Sequence, residues 1–381
     1  MNDHLSVVVL EELLEEENDD VVEDDSVIFI ALVISQWPFH LERPILHSNC
    51  LLQGGANYFF LNADSPSIER VTRLDRATFL FLLTKFEMAW PKSMERLQRT
   101  RGHITTRRLC PAAALGLVLY WLGSGDHHLA VALFSGLVCA TVSSYLSFGL
   151  QNLHDVLLDL PETTISYPSD IYLQDVGQQC GVLYNPVMKG CCIVTDGSIH
   201  PLEKDEDAQM NFFYDEHHPD YNGWKGVYCK KGLYFFCLDG SIVWCVIDCP
   251  GSWHDGLLLD RAHGFVTSLP PGCWILGDTA FPRIPERLER VRKAGENLPS
   301  DRRRAEWQLS FEDYCSGIRI ASEWGIKDLK RSWLILSRPL PSDNARRRRM
   351  TWETVLLLHN LRQRRMRVGQ IGNVFNLQVL E

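Results

Sequence analysis

Apolar residues fall at helical spacing between residues 67 and 160. From 190 to 282 they fall instead in short runs bounded by turn residues, so the pattern changes period part-way along the chain. In RLDRATFLFLLTKFEMAW the positions Leu74, Phe79, Leu82, Leu83 and Phe86 share one helical face, and Asp75 or Thr78 can cap the start. A basic, polar interruption follows at RLQRTRGHITTRRL. Pro111 then opens a second helix, AAALGLVLYWLGSG, with Gly123 and Gly125 near its stop. The stretch DHHLAVALFSGLVCATVSSYL, residues 126–146, predicts a helix, a turn near Ser135–Gly136, and a second helix with Thr141, Ser143 and Ser144 on its exposed side. A helix-turn-helix has this layout, with its second helix in a major groove. A plain helical hairpin has the same small turn residues, and this second helix lacks Arg, Lys, Asn and Gln.

The runs CCIVTDGS, GLYFFCLDG, SIVWCVIDC and CWILGDTA are rich in β-branched and aromatic residues and predict strands. Asp239-Gly240 reads as the hairpin turn between the second and third, and DGLLLDRA as a helix before the fourth. The segment 283–310 is charged and helix-prone. Residues 311–336 are periodic: Phe311, Tyr314, Ile318, Ala321, Gly325, Leu329 and Leu336 form one stripe, with Glu323 opposite. Arg319, Lys327 and Lys330 lie on the Glu323 face, which puts a carboxylate among three cations. A solvated face with an i,i+4 pair such as Glu323–Lys327 gives the same pattern. The chain closes with a loop, PSDNARRRR, and a helix, MTWETVLLLHNLRQRRMR.

Charge sharpens this division. The formal net charge is −10, yet residues 1–25 alone carry eleven Asp/Glu and no Lys/Arg. That low-complexity tail is expected to be disordered. Residues 287–367 carry 20 Lys/Arg against 10 Asp/Glu, an electrostatic footprint suited to nucleic acid. The apolar run Val27–Ile34 is eight residues long, whereas a membrane span needs about 20, so a soluble protein without a membrane partner is expected. Twelve cysteines include no CxxC pair, and the first 25 residues are acidic rather than basic-then-apolar, unlike a secretory leader. Free thiols in a reducing compartment, without structural zinc, follow as the expectation.

Three carboxylates stand out. Asp196 ends the apolar run CCIVTDGS, Asp278 ends CWILGDTAF, and Glu323 lies within the helical pattern, with 81 residues between the first two and 44 between the last two. Phosphodiester cleavage needs the attacking and leaving oxygens stabilised together, which two Mg²⁺ ions about 3.5–4 Å apart achieve. Mg²⁺ takes hard oxygen ligands and keeps several waters, so a few carboxylates suffice. Taken singly, a strand-end Asp is also an ordinary turn former.

The words VTDGSIHPL (194–202), YNGWKGVY (221–228), GSWHDGLLL (251–259), ILGDTAFP (275–282), ASEWGIKDLKRSW (321–333) and LLLHNLR (356–362) carry a resemblance. From about residue 191 to 365 the chain resembles the DDE endonuclease domain of Harbinger-type transposases and their domesticated relatives. Ser198, Ile199 and His200 follow Asp196 where the family usually has a Thr-His pair, and 203–220 is an acidic, His-rich stretch where many relatives are shorter. The resemblance implies an RNase H-like mixed sheet flanked by helices, preceded by an all-helical domain with the candidate helix-turn-helix. The divisions it suggests are a tail at 1–25, an unassigned segment at 26–66, helices at 67–165, the nuclease at 166–340, and a basic loop and helix at 341–381.

It also implies that Asp196, Asp278 and Glu323 hold Mg²⁺ or Mn²⁺ and cut DNA at terminal inverted repeats in the nucleus. A Myb-like partner protein assists in many relatives, and a homo-oligomer is left open. The alternative is a domesticated, non-cutting DNA-binding or chromatin-associated protein on the same fold. Candidate DNA contacts are Lys225, Arg319, Lys327, Lys330, Arg346, Arg347, Arg348 and Arg349, the last four also suiting a solvated loop or an import signal. Trp224 suits either base stacking or packing. His217-His218 reads as surface loop before metal site. His254-Asp255 is tempting as a catalytic pair, but Asp255 reads as a helix cap or a support, and Asp239 and Asp248 as turn residues.

Overall fold

The computed structural model describes residues 57–101, 109–203, 218–278, 281, 290–292 and 302–377. The acidic tail, the Val27–Ile34 run, His217 with most of the 203–220 stretch, and most of 283–301 lie outside the described residues. Those described belong to one compact unit, Leu51–Glu381.

Helices come first: α1 (Asn57–Asn62), α2 (Ser65–Thr72), α3 (Arg76–Arg101), α4 (Pro111–Ser124), α5 (His128–Ser135) and α6 (Cys139–Leu158). Helix α3 begins where the sequence placed it, with the Asp75 carboxylate accepting from Thr78 N at 2.7 Å, and Leu74, Phe79, Leu82, Leu83 and Phe86 are buried. Helix α4 has Pro111 in its first turn and stops at Gly125, which is left-handed at φ 66°. It is apolar all round because α1, α2, α3 and α6 surround it. Helix α5 ends at the left-handed Gly136, and α6 leaves it at 103°. Among the described residues no single helix is long and apolar enough to cross a membrane.

Helix α7 (Asp170–Leu183) leads into a six-stranded mixed sheet: β1 (Cys191–Pro201), β2 (Tyr221–Asn222), β3 (Val227–Cys237), β4 (Ile242–Pro250), β5 (Trp274–Leu276) and β6 (Val291–Arg292). The order is β2-β3-β1-β5-β6, with β4 also on β3. Strands β1 and β3 are antiparallel, as are β3 and β4, whereas β5 is parallel to β1 and β6 to β5. Central β1 is covered on both faces, which is why Cys191–Thr195 is a continuous buried run rather than an alternating one. The hairpin turn is at Asp239-Gly240 as expected, with Asp239 Oδ1 accepting from Ser241 N and Gly240 at φ 90°.

Side chains alternate across the sheet. Phe235 and Trp244 meet Phe265 on one face, where α8 (Asp255–Arg261) and α9 (His263–Ser268) lie. Tyr234 and Phe236 point the other way, toward α10 (Arg302–Ser332) and α11 (Ala345–Met366). Helix α10 sits close because it presents Gly325, where an added Cβ would come within 2.8 Å of the Phe236 ring. A short helix, α12 (Gln370–Phe375), closes the described chain. Helix α11 packs on β4 and also on α6, joining sheet and helices.

At several points of the fold the structure departs from the sequence expectation. Asp196 lies mid-strand, because pairing with β3 continues from Ile193 through Pro201. Residues Val291–Arg292, in the helix-prone segment, form an edge strand on β5. Tyr314 is exposed although it phases with the core stripe, since only part of α10 rests on the sheet. The four arginines 346–349 are helical, because the Asn344 side chain caps α11 by accepting from Arg347 N at 2.9 Å.

Candidate active site

Strand register brings the two aspartates together. Val194 pairs with Leu276 across the parallel β1–β5 ladder. Two residues on from that pair come Asp196, still within β1, and Asp278, two residues past the end of β5. Asp196 pairs with Tyr234 and shares its face, the one that α10 covers, and Glu323 stands on α10. The partition of α10 follows the sequence phase: Phe311, Ile318, Ala321 and Leu329 are buried, and Glu323 is outward.

Arg319 ties the carboxylates. Its Nη1 lies 3.0 Å from Glu323 Oε1, one helical turn away, and 3.4 Å from Asp278 Oδ1 on the sheet. Glu323 thus pairs with Arg319, not with the Lys327 that its helical spacing also allows. Asp196 is the half-buried member, and its Oδ1 accepts from Gly197 N at 2.7 Å. Burial first, then the negative charges of Asp278 and Glu323, push its carboxyl up to about 6, against the pull of the Gly197 N–H and the Arg319 cation. The three side chains therefore share one field.

As a donor set, three carboxylates suit a hard divalent cation. Among the described residues, however, no group of three or more His, Cys, Asp or Glu side chains is arranged to hold a metal ion. The Arg319 guanidinium lies between two of the three instead.

The other candidates are dispersed. Lys327 is exposed on the Glu323 face. Lys330 turns back, its Nζ donating to Ile199 O on β1 at 2.9 Å, and burial lowers its pKa. Lys225 is exposed in the Asn222–Gly226 turn, and Trp224 beside it is 91% exposed, which removes core packing as its role. Arg346 is exposed, and Arg349 pairs with Glu353 at 2.8 Å. Arg347 reaches His128 and lies over the Trp121 ring. Arg348 is buried, with Nε 2.6 Å and Nη2 3.3 Å from the two Asp248 oxygens. Asp248 is not a turn residue but the φ 59° position of a bulge in β4.

His254, rather than Asp255, caps α8, with Nδ1 accepting from Gly256 N. Asp255 lies 3.6 Å from Lys231 Nζ and against Gly197, on the face of β1 opposite to Asp196. The strand therefore separates it from the three carboxylates.

His200, named in the sequence beside Asp196, belongs to the core rather than to the carboxylates. His200, two alternations beyond Asp196, accepts from Tyr234 OH through Nε2, donates through Nδ1 to Leu336 O, and lies on Trp352. Burial and the nearby Lys330 hold it neutral, with a pKa of about 3.

Residues 195–360 match the family model of the DDE superfamily endonucleases. The match runs from the residue before Asp196 to Asn360 in α11, so it takes in all three carboxylates and the strands that set them. It supports a DDE-type, transposase-like nuclease, and the mixed α/β sheet flanked by helices is consistent with a DDE nuclease fold. No curated protein and no solved structure matches the chain.

Proposed function

We propose that the protein is a metal-dependent DNA endonuclease of the DDE type, a Harbinger-type transposase or a domesticated descendant of one. The observation that carries this is that Arg319 pairs with both Asp278 and Glu323, while Asp196, two residues beyond the last β1–β5 pair, feels the charge of both carboxylates. The strand path β4-β3-β1-β5-β6 supports the RNase H-like reading of the sheet. DDE superfamily nucleases use divalent metals. Asp196, Asp278 and Glu323 would hold Mg²⁺ or Mn²⁺ here, and the ions would stabilise the attacking and leaving oxygens. The protein's own part is positional. Strand β1 holds Asp196, the segment just after β5 carries Asp278, the Gly197 N–H orients the first, and Arg319 and Lys327 would supply cations beside them for the phosphates. Asp196 has to be ionised to bind a cation, so metal binding strengthens as pH rises through about 6.

DNA affinity would come mainly from the basic α10–α11 region. The α5–α6 pair has an angle compatible with a helix-turn-helix. Two of its three polar side chains are already engaged, with Ser143 Oγ 2.8 Å from His128 Nδ1 and Ser144 Oγ donating to Ala140 O. Terminal inverted repeats as target, a Myb-like partner and action in the nucleus complete the proposal.

Nicking of supercoiled plasmid tests it. The protein should nick with Mg²⁺ or Mn²⁺, and Asp278→Ala should lose at least about a hundredfold of that rate. Equal nicking by Asp278→Ala would overturn the assignment. DNA binding with no nicking by the wild type would favour the domesticated, non-cutting alternative.

A further inference from the structure

Arg319 holds two carboxylates that belong to different parts of the fold. Glu323 is on its own helix, and Asp278 follows β5, 41 residues earlier in the chain. An ordinary i,i+4 pair would need only Glu323. The reach to Asp278 closes α10 onto the sheet end, and the same cation also lowers the potential felt by Asp196. A guanidinium is always charged and presents its donors in a planar fork, so it satisfies two carboxylates in the absence of any other cation. A divalent ion held by those carboxylates would compete with Arg319 for their negative charge and for the one oxygen of each that it contacts.

We propose that Arg319 is a built-in competitor for metal: it neutralises Asp278 and Glu323 in the metal-free protein and is displaced from them when a divalent cation binds. This rests on the carboxylate assignment under Proposed function. Once displaced, Arg319 remains one turn from Glu323 on the face that also carries Lys327, and its fork is free to take a phosphate oxygen. Metal and DNA are thereby coupled: the ion releases the cation that grips the backbone, and by linkage DNA improves the affinity for the ion by the same factor.

The test is Ca²⁺ and Mn²⁺ binding by isothermal titration calorimetry on the full chain, without DNA, for wild type, Arg319→Gln and Arg331→Gln. Loss of the competitor should tighten metal binding in Arg319→Gln by about fivefold or more, a typical coupling between linked sites. As a control, Arg331→Gln, which removes an exposed cation of α10 outside the carboxylate cluster, should change it less than twofold. A second arm measures duplex DNA binding with and without Ca²⁺. Ca²⁺ should strengthen binding by the wild type, and Arg319→Gln should lose that increment. Unchanged or weaker metal binding in Arg319→Gln, with the wild type binding normally, overturns the competitor role and leaves the carboxylate assignment standing. No metal binding by either protein overturns both. Should Arg319→Gln not fold, Arg319→Lys keeps the charge but loses the fork, and it too should bind metal more tightly than the wild type.

Discussion

Asp196 carries the clearest single-residue consequence. Its folded pKa is raised to about 6, so the ionised carboxylate is disfavoured in the native state relative to the unfolded chain. The sign is then fixed: the metal-free protein is least strained by this group below the ordinary Asp range, and it loses stability as pH rises through about 6. Asp196→Asn removes the charge and keeps an oxygen for the Gly197 N–H. It should therefore be more stable than the wild type at pH 7–8, by on the order of 1–3 kcal/mol, and match it near pH 3.5. Urea midpoints across that range, without divalent metal, measure the difference. A variant less stable than the wild type at pH 8 would mean that Asp196 is not strained in the fold.

At the scale of elements, α11 is anchored to β4 by a buried ion pair rather than by its apolar face alone. Arg348 meets both oxygens of Asp248 and also donates to Pro341 O and Ser342 O. Removing one member of such a pair strands the other charge, a loss of about 3–5 kcal/mol. Arg348→Ala should therefore unfold at markedly lower denaturant. Arg346→Ala, at an exposed position of the same turn, should stay within about 0.5 kcal/mol of the wild type. Equal stability of the two variants would return Arg348 to the surface and to the list of candidate DNA contacts. Four consecutive arginines look alike in sequence, and the separation comes from helix geometry, which sends neighbours about 100° apart around the axis.

For the molecule as a whole, DNA affinity should follow the free cations rather than the total. Each phosphate neutralised contributes about −0.9 to the log–log slope of affinity against salt. Lys327 is exposed and should account for one such unit. Lys330 is tied to Ile199 O, so Lys330→Ala should leave the slope nearly unchanged and cost about 1 kcal/mol of stability through the unpaired carbonyl. The double variant should thus flatten the slope by about one unit. A fall of two units would show that Lys330 leaves the strand to grip DNA. An unchanged slope, with binding lost on replacing Thr141, Ser143 and Ser144, would give recognition to α5–α6.

The sequence by itself determined most of the elements and pointed to three carboxylates. Local rules placed the Asp75 cap, the Pro111 start, the Gly125 and Gly136 stops, the Asp239-Gly240 turn and the buried stripe of α10, because caps, turns and amphipathic faces depend on residues within one or two turns of each other. The words around Asp196, Asp278 and Glu323 also named the three carboxylates before any coordinates. Only the tertiary structure decided how they meet. The parallel β1–β5 pairing that brings the ends carrying Asp196 and Asp278 side by side joins residues about 80 positions apart, and no local pattern encodes a register of that kind. The same holds for the cations. Arg319 on Asp278, Lys330 on Ile199, Arg348 on Asp248 and Arg347 at Trp121 were one undivided basic segment in sequence. Which of them remain free for a phosphate depends on long-range partners, and those exist only after the helices have closed on the sheet.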